Sequence, residues 1–396
     1  MILSRKILLE YLLPIYLVYS TICVYSLYFL GTIEELLIVL SIYILGLSIR
    51  PRVVKNNTES TLFFIGWGFV FMLSTVINGV RPGLILIYLF LFCYFCLCLN
   101  YEFLIRVFKK YVWMLSIFVL LSAIEYIIYM LTGRGIILSS VTRSTDVRDT
   151  NFFHLLFNVI SYSSIPRFQG LFKEPGNMGT TCAFMLFATG KLKSMKIPFV
   201  IFLICGLLSL SMAYYAFLFI YLITNVKFSI KKLIPYTLVA ILFLSVFRDN
   251  FERRIIERIG EADSIEDLDN RTTASFDRYF NRALSNGDLW FGVGANNLPQ
   301  AVVDTGGNAG AKKWIYQFGI IGLMAIFFTY NVIYFRRCDK PLQFRDWVFI
   351  FVYWVCFYKS VVFTTPSLFI VYAIMPVINK LSVQDKLFSI EHNRSV

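Results

Sequence analysis

Histidine is nearly missing from this 396-residue chain: of two, only His154 lies outside the C-terminal tail, which rules out a site built on several imidazoles. Cysteine occurs eight times but never in the two long polar connections near 133–176 and 248–313, so no disulfide framework is expected there. Cys93, Cys96 and Cys98 mimic metal-ligand spacing, yet they sit in an apolar run beside Leu and Phe, where a thiol acts as a small hydrophobe. The first apolar stretch lacks a small-x-small cleavage site and is long enough to span, so no cleavable leader is expected. No internal repeat is visible. The glycines of Trp290-Phe-Gly-Val-Gly-Ala-Asn-Asn297 do not form a dinucleotide fingerprint, because position 297 is Asn and no strand-helix-strand unit surrounds it.

What is abundant is apolar mass. A hydrophobic content of 58%, 18% aromatics and a mean hydropathy of +0.69 lie far outside the range of soluble domains and identify a polytopic membrane protein. Measured against the roughly 20 residues that cross a bilayer, the apolar runs give an all-α bundle of about 12 transmembrane helices, several of them short. They lie near 11–30, 33–49, 60–79, 84–99, 111–132, 177–189, 197–211, 212–226, 233–247, 314–335, 347–358 and 360–379. The chain thus divides into a bundle of five spans (1–132), a first outer loop (133–176), four spans (177–247), a second outer loop (248–313), three spans (314–379) and a cytoplasmic tail (380–396).

Lysine and arginine support this count. With the N-terminus inside, the inner segments hold 21 of them, whereas the four short outer connections carry only Arg81 and Lys359. Both termini are then cytoplasmic, and fusing the seventh and eighth segments would break the alternation. The +13 charge is therefore a topology signal, and no nucleic-acid partner is read from it. The two long outer loops differ in kind: they hold 11 arginines and only Lys173, Lys312 and Lys313. Arginine grips phosphate with a planar fork, so this bias points to an anionic ligand. The alternative is that some arginines neutralise the 11 acidic residues of the second loop.

The first loop closes on Arg167-Phe-Gln-Gly-Leu-Phe-Lys-Glu-Pro-Gly-Asn-Met-Gly179. Pro175 suits the first turn of a helix and puts Glu174 near its N-cap. The exposed N–H groups of that turn, with Arg167 and Lys173, make an anion cradle at the membrane surface. The plainer alternative is a tight membrane re-entry with an Arg167/Glu174 pair. Upstream, 151–160 reads as an interfacial amphipathic helix carrying His154. Glu125, within the fifth run and nearer its outer end, is either a site carboxylate or a structural hydrogen-bond acceptor. In the second loop, helical geometry sets Arg271, Ser275, Arg278 and Arg282 within roughly 60° of one another, a row able to clasp a diphosphate. Gly292 and Gly294 allow close backbone approach. Phe168, Phe172, Trp290 and Trp314 are candidates for stacking on sugar faces or for an interfacial belt.

Arg167 to Gly179 resembles the R-x-x-G-x-F-x-E-P-x-x-x-G signature of Wzy-type O-antigen and capsule polymerases, which belong with the O-antigen ligases. Arg271, then Trp290 to Asn297 and Gln317-Phe-Gly-Ile-Ile-Gly-Leu323, is similar to the loop-plus-span block of that superfamily. Asn308 stands where the ligase branch commonly shows a histidine, which favours a polymerase, and Met212 replaces a basic residue common among relatives. The resemblance implies a GT-C-like membrane glycosyltransferase of the bacterial inner membrane. It implies transfer of a polyprenyl-pyrophosphate-linked glycan to an acceptor sugar, with an undecaprenyl-pyrophosphate-linked oligosaccharide, the growing polysaccharide chain and membrane lipid as partners and a chain-length regulator protein as an optional one.

No nucleotide is available outside, so the donor must arrive activated, with polyprenyl pyrophosphate as leaving group. Arg167, Arg271 and Arg278 would meet its developing charge, with Arg282 alongside, and no metal or cofactor is required. Glu174 is the leading base, with Glu125 and His154 behind it. Lys173, Gly170, Pro175, Asn296, Asn297 and Asn308 complete the expected binding set. Transfer of finished glycan to a foreign acceptor, as in a ligase, is the near alternative. A lipid-linked oligosaccharide flippase is the distant one, disfavoured because charge is concentrated in outer loops and not within the spans.

Overall fold

The computed structural model describes residues 2–21, 32–49, 57–134, 137–142, 150–154, 156–160, 167–172, 174–225, 274–294, 310–338, 342–359 and 365–394. Among these residues are twelve α-helices: α1 (Ile2–Thr21), α2 (Thr32–Leu47), α3 (Thr58–Met72), α4 (Leu84–Cys98), α5 (Tyr101–Thr132), α6 (Pro175–Thr189), α7 (Lys196–Leu208), α8 (Met212–Asn225), α9 (Ala274–Asn286), α10 (Gly310–Arg337), α11 (Phe344–Lys359) and α12 (Pro366–Arg394). Three are long and apolar enough to cross a membrane: α3 with its π-helical continuation (Thr58–Ile77), α5 and α10. α5 leaves Ile117, Leu121, Ile124, Ile128 and Leu131 exposed, an apolar surface suited to lipid.

Several helices outrun the apolar segments. α1 starts at Ile2, not near 11, and takes Arg5, Lys6 and Glu10 into the helix; Glu10 Oε1 meets Lys110 Nζ at 3.1 Å and Arg106 Nε at 3.7 Å. α5 begins at Tyr101, so Arg106, Lys109 and Lys110 lie within it and not in a loop. α12 runs through to Arg394, so the expected tail continues the last helix. The ninth expected span, 233–247, lies outside the described residues. α7 and α8 are separate helices joined by a short turn at Ser209, Leu210 and Ser211.

The fold is not purely helical. β1 (Ile137–Thr142), β2 (Thr150–His154) and β3 (Asn158–Ile160) make an antiparallel sheet in that order, so the stretch 151–160, expected as an interfacial helix, supplies two of the strands. Register places Ile137 opposite His154 and Phe152 opposite Val159. A short stretch of Phe, Thr, Val and Ile fits a period of two as well as one of 3.6, and pairing with β1 satisfies its backbone N–H and C=O groups.

The chain forms two compact units: Met1–Ile117, Ala188–Pro198 and Thr272–Val396 in the first, Phe118–Phe187 and Phe199–Arg271 in the second. Aromatic rings fill the core of the first. Phe63 of α3 touches Phe90, Tyr330 and Phe369 at 5.6, 5.8 and 5.3 Å, and Tyr372 lies 4.1 Å from Tyr353 and 5.0 Å from Tyr334. Each such pair adds about 0.5–1.5 kcal/mol beyond its buried area. Cys93, Cys96 and Cys98 are buried in this core on α4. Gly66 admits α10 closely, since a Cβ there would collide with the Thr329 side chain. α3 begins with a capping box, Ser60 N–H donating to Asn57 Oδ1 at 2.7 Å and Asn57 N–H to Ser60 Oγ at 3.3 Å.

Candidate functional site

Within the second unit, the stretch from Arg167 to Gly179 is a tight turn feeding a helix. Phe168, Leu171 and Phe172 are buried, with the Phe168 ring 5.2 Å from Tyr126 of α5. Gly170 has φ +53°, a left-handed conformation that disfavours any side chain, and Phe172 N–H closes the turn on Gln169 O at 3.0 Å. Pro175 is the first residue of α6, and the Glu174 carbonyl accepts from Asn177 N–H at 3.0 Å and Met178 N–H at 3.2 Å. Glu174 therefore occupies the N-cap position with its side chain exposed. At Gly179, a Cβ would come within 2.6 Å of Ser211 Cβ, so glycine lets α6 pass directly against the turn between α7 and α8.

That turn receives Arg167. Its Nη2 donates to Leu210 O at 2.6 Å and to Ser209 O at 3.3 Å. Leu210 holds φ +47°, the one non-glycine residue with positive φ among those described, and its conformation turns these carbonyls outward from the end of α7. The preceding carbonyls are also occupied: Tyr214 Oη donates to Leu203 O (2.8 Å), Tyr215 Oη to Leu207 O (3.0 Å) and Ser209 Oγ to Gly206 O (2.6 Å). A cation at a helix C-terminus is stabilised by the negative end of the dipole. Arg167 thus pins the motif to the α7–α8 turn.

Glu125 lies on α5, one residue before the Tyr126 that packs against Phe168. Its Oε2 accepts from Leu156 N–H at 2.7 Å, while Phe157 contacts Tyr126 and Tyr129 at 5.9 and 5.5 Å. The carboxylate thereby ties the end of the sheet region to α5, next to the motif turn. His154 ends β2, paired through its backbone with Ile137.

In the first unit, α9 is amphipathic. Phe276 and Ala283 are buried in a cluster with Leu289 and Tyr316, whereas Arg278 and Arg282 project from the opposite, exposed face. Asp277 pairs with Lys312 of α10 at 3.3 Å. Gly287 in the left-handed region ends α9, and a short turn leads to Gly292, which meets Gly319 backbone to backbone. A Cβ on Gly319 would lie 2.4 Å from Phe291 C and 2.5 Å from Trp290 O; one on Gly292 would lie 2.5 Å from Gly319 N. Gly319 has φ 77° and ψ 168°, which interrupts α10 and releases carbonyls from its ladder. The loop takes them up: Val293 N–H donates to Tyr316 O at 2.7 Å and Gly294 N–H to Gln317 O at 3.0 Å. The two glycine-bearing motifs are one structural joint, which fixes α9 and its arginines to α10. Asn78 Nδ2 adds a bond to Phe291 O at 3.1 Å.

Of the aromatics considered for sugar stacking, Phe168, Phe172 and Trp314 belong instead to the packed interior; Trp314 lies 4.2 Å from Phe318 and 5.8 Å from Trp67. Trp290 alone of the four is open, at 58% exposure. Lys173, Arg271, Asn296, Asn297 and Asn308 lie outside the described residues, as does the side chain of Ser275. Among the described residues, no group of three His, Cys, Asp or Glu side chains is placed to hold a metal ion.

A second polar set escaped the sequence reading. Asp346 is buried in the first turn of α11, where it accepts from Tyr334 Oη (3.3 Å), Gln343 N–H (3.0 Å) and Asn379 Nδ2; Lys191 Nζ reaches Asn379 Oδ1 at 2.5 Å. The spacing of Gln343 and Asp346 at a helix start was its one local signal. No known protein family, curated protein or solved structure matches the chain.

Proposed function

We propose that the protein is a Wzy-type polymerase, a membrane glycosyltransferase that joins undecaprenyl-pyrophosphate-linked repeat units into a polysaccharide on the outer face of the bacterial cytoplasmic membrane. The observation that carries this reading is the exposed pair Arg278 and Arg282, held on α9 by the Gly292–Gly319 joint at one end of a helix long enough to cross a membrane. Two guanidinium groups one helical turn apart suit a diphosphate, and each charge-assisted contact is worth about 1.5–3 kcal/mol.

In the proposed reaction, an acceptor hydroxyl attacks the anomeric carbon of the donor sugar as the bond to the pyrophosphate oxygen breaks. The arginines stabilise the negative charge that collects on the departing polyprenyl pyrophosphate. Glu174, exposed at the start of α6, takes the hydroxyl proton. Arg167, tied to the carbonyls of Ser209 and Leu210, holds the turn that presents Glu174.

The proposal includes twelve spans with both termini in the cytoplasm. Contacts within the first unit favour that arrangement: Glu10 with Lys110 and Glu59 with Arg336 each join two segments assigned to the inner side, and Lys191 of an inner segment meets Asn379 at the inner end of the last expected span. Asn78, at the outer end of the third expected span, also meets Phe291 of the second outer loop. The test is to incubate the purified protein with lipid-pyrophosphate-linked repeat units. A ladder of products is expected; single transfer to a foreign acceptor would make it a ligase, and no product would remove the catalytic reading.

A further inference from the structure

At the far end of α10 from the glycine joint, Arg337 is only 7% exposed. Its Nη1 donates to Ala373 O at 2.9 Å, and the Tyr101 ring lies 5.1 Å from the guanidinium carbon. Nε and Nη2 meet no acceptor among the described residues. These two nitrogens form one edge of the guanidinium fork, the edge that binds two oxygens of a carboxylate or phosphate side by side. An arginine does not shed its proton, so a charge withdrawn from water in this way calls for an anion.

Among the described residues, the Tyr101 hydroxyl and the Glu59 carboxylate are the groups that most favour the charge of Arg337, and neither meets this edge. Glu59, buried at the start of α3, faces Arg336 Nε at 3.7 Å, so among the described residues these two adjacent arginines share one carboxylate, which leaves one positive charge over. α10 is long enough to cross a membrane, which puts its charged end at headgroup level. Tyr101 beside Arg337 and Trp347 beside Phe335 are exposed there, aromatic residues of the kind that favour the interface. The anion in greatest supply at that level is the phosphodiester of an acidic lipid, whose single charge balances the excess.

We propose that Arg337, with Arg336 beside it, is the seat for the phosphate group of an acidic membrane phospholipid. The Tyr101 ring, 41% exposed, covers the guanidinium and swings aside to admit the headgroup. The seat is independent of the polymerase reading: it uses none of the residues assigned to transfer and is read out by lipid binding alone.

The purified full chain, stripped of lipid, is offered phosphatidylglycerol, the phosphate-free digalactosyl diacylglycerol, or inorganic phosphate, with retained lipid read by native mass spectrometry and melting temperature followed in parallel. Wild type should retain phosphatidylglycerol about tenfold better than the galactolipid, the equivalent of one charge-assisted contact. Arg337→Met should lose that preference, and its melting temperature should no longer rise more with phosphatidylglycerol than with the galactolipid, as that of wild type does. Should Arg337→Met fail to fold, Tyr101→Ala decides the matter by retaining phosphatidylglycerol more strongly than wild type. Equal retention of the two lipids by wild type, an unchanged preference in Arg337→Met, or weaker retention in Tyr101→Ala overturns the proposal. Inorganic phosphate raising the melting temperature as much as phosphatidylglycerol overturns the lipid assignment in favour of a free anion.

Discussion

Replacing Gly319 by Ala puts a methyl group where three backbone atoms already stand. The new Cβ would lie 2.4 Å from Phe291 C, 2.5 Å from Trp290 O and 2.7 Å from Gly292 N, and none of these can rotate away. The backbone at φ 77°, ψ 168° is itself in a region open almost only to glycine, a cost of about 1–3 kcal/mol for any other residue. Relieving the contact separates the loop from α10 and removes the bonds Val293–Tyr316 and Gly294–Gln317, each worth about 1 kcal/mol net. The total is about 3–5 kcal/mol. Gly287 supplies the control, because its φ of +79° is equally left-handed but nothing lies within 4 Å of a Cβ there. Gly287→Ala should cost about 1–2 kcal/mol. Melting curves of the three proteins in one detergent, with limited proteolysis between 287 and 300, give the comparison. Gly319→Ala should melt well below Gly287→Ala and be cut faster in the loop. Equal melting of the two variants, or a Gly319→Ala protein as stable as wild type because α10 has straightened, would refute the joint.

Three further outcomes separate structure from chemistry. Glu125→Gln keeps an oxygen for Leu156 N–H and should retain both fold and activity, whereas Glu125→Leu strands that N–H at a cost of about 1–3 kcal/mol; an inactive but stable Glu125→Gln in the polymerisation assay would instead make Glu125 a proton acceptor. Arg278→Ala and Arg282→Ala alter exposed side chains and should shift stability by no more than about 1 kcal/mol, the range of a surface pair, measured by melting, while shortening or abolishing product. Gly179→Val forces α6 off the Ser211 turn and should lower the melting temperature; Gly179→Ala should do so less.

Features set by one residue's own chemistry were legible in the sequence. Pro175 announces a helix start, and α6 begins there. The charge alternation that kept the seventh and eighth segments apart agrees with the break at Ser209 to Ser211. The glycines of the 290–297 stretch signalled close approach, but nothing local to Gly292 names Gly319 as its partner, because that contact exists only once the loop folds back on α10. Long-range pairing also decided 150–160, where aromatic and β-branched residues suit either period until β1 supplies a neighbour. Residue type could not tell whether Phe168, Phe172 and Trp314 face a ligand or the core, since rings serve both. Hydropathy placed helix ends at the last apolar residue, whereas Glu10, Arg106 and Lys110 remain helical by pairing with one another. The Asp346 polar set was hidden for the same reason: Asp346, Asn379 and Lys191 come from three segments and become a network only in the packed unit.

The most direct measurement counts polyprenyl pyrophosphate set free per glycosidic bond formed, using purified protein and lipid-linked repeat units in EDTA with no nucleotide added. Polymerisation by the proposed route releases one lipid pyrophosphate for every linkage, and Arg278→Ala lowers both together. Linkages formed without that release, or release that requires an added metal or nucleotide, would contradict the account.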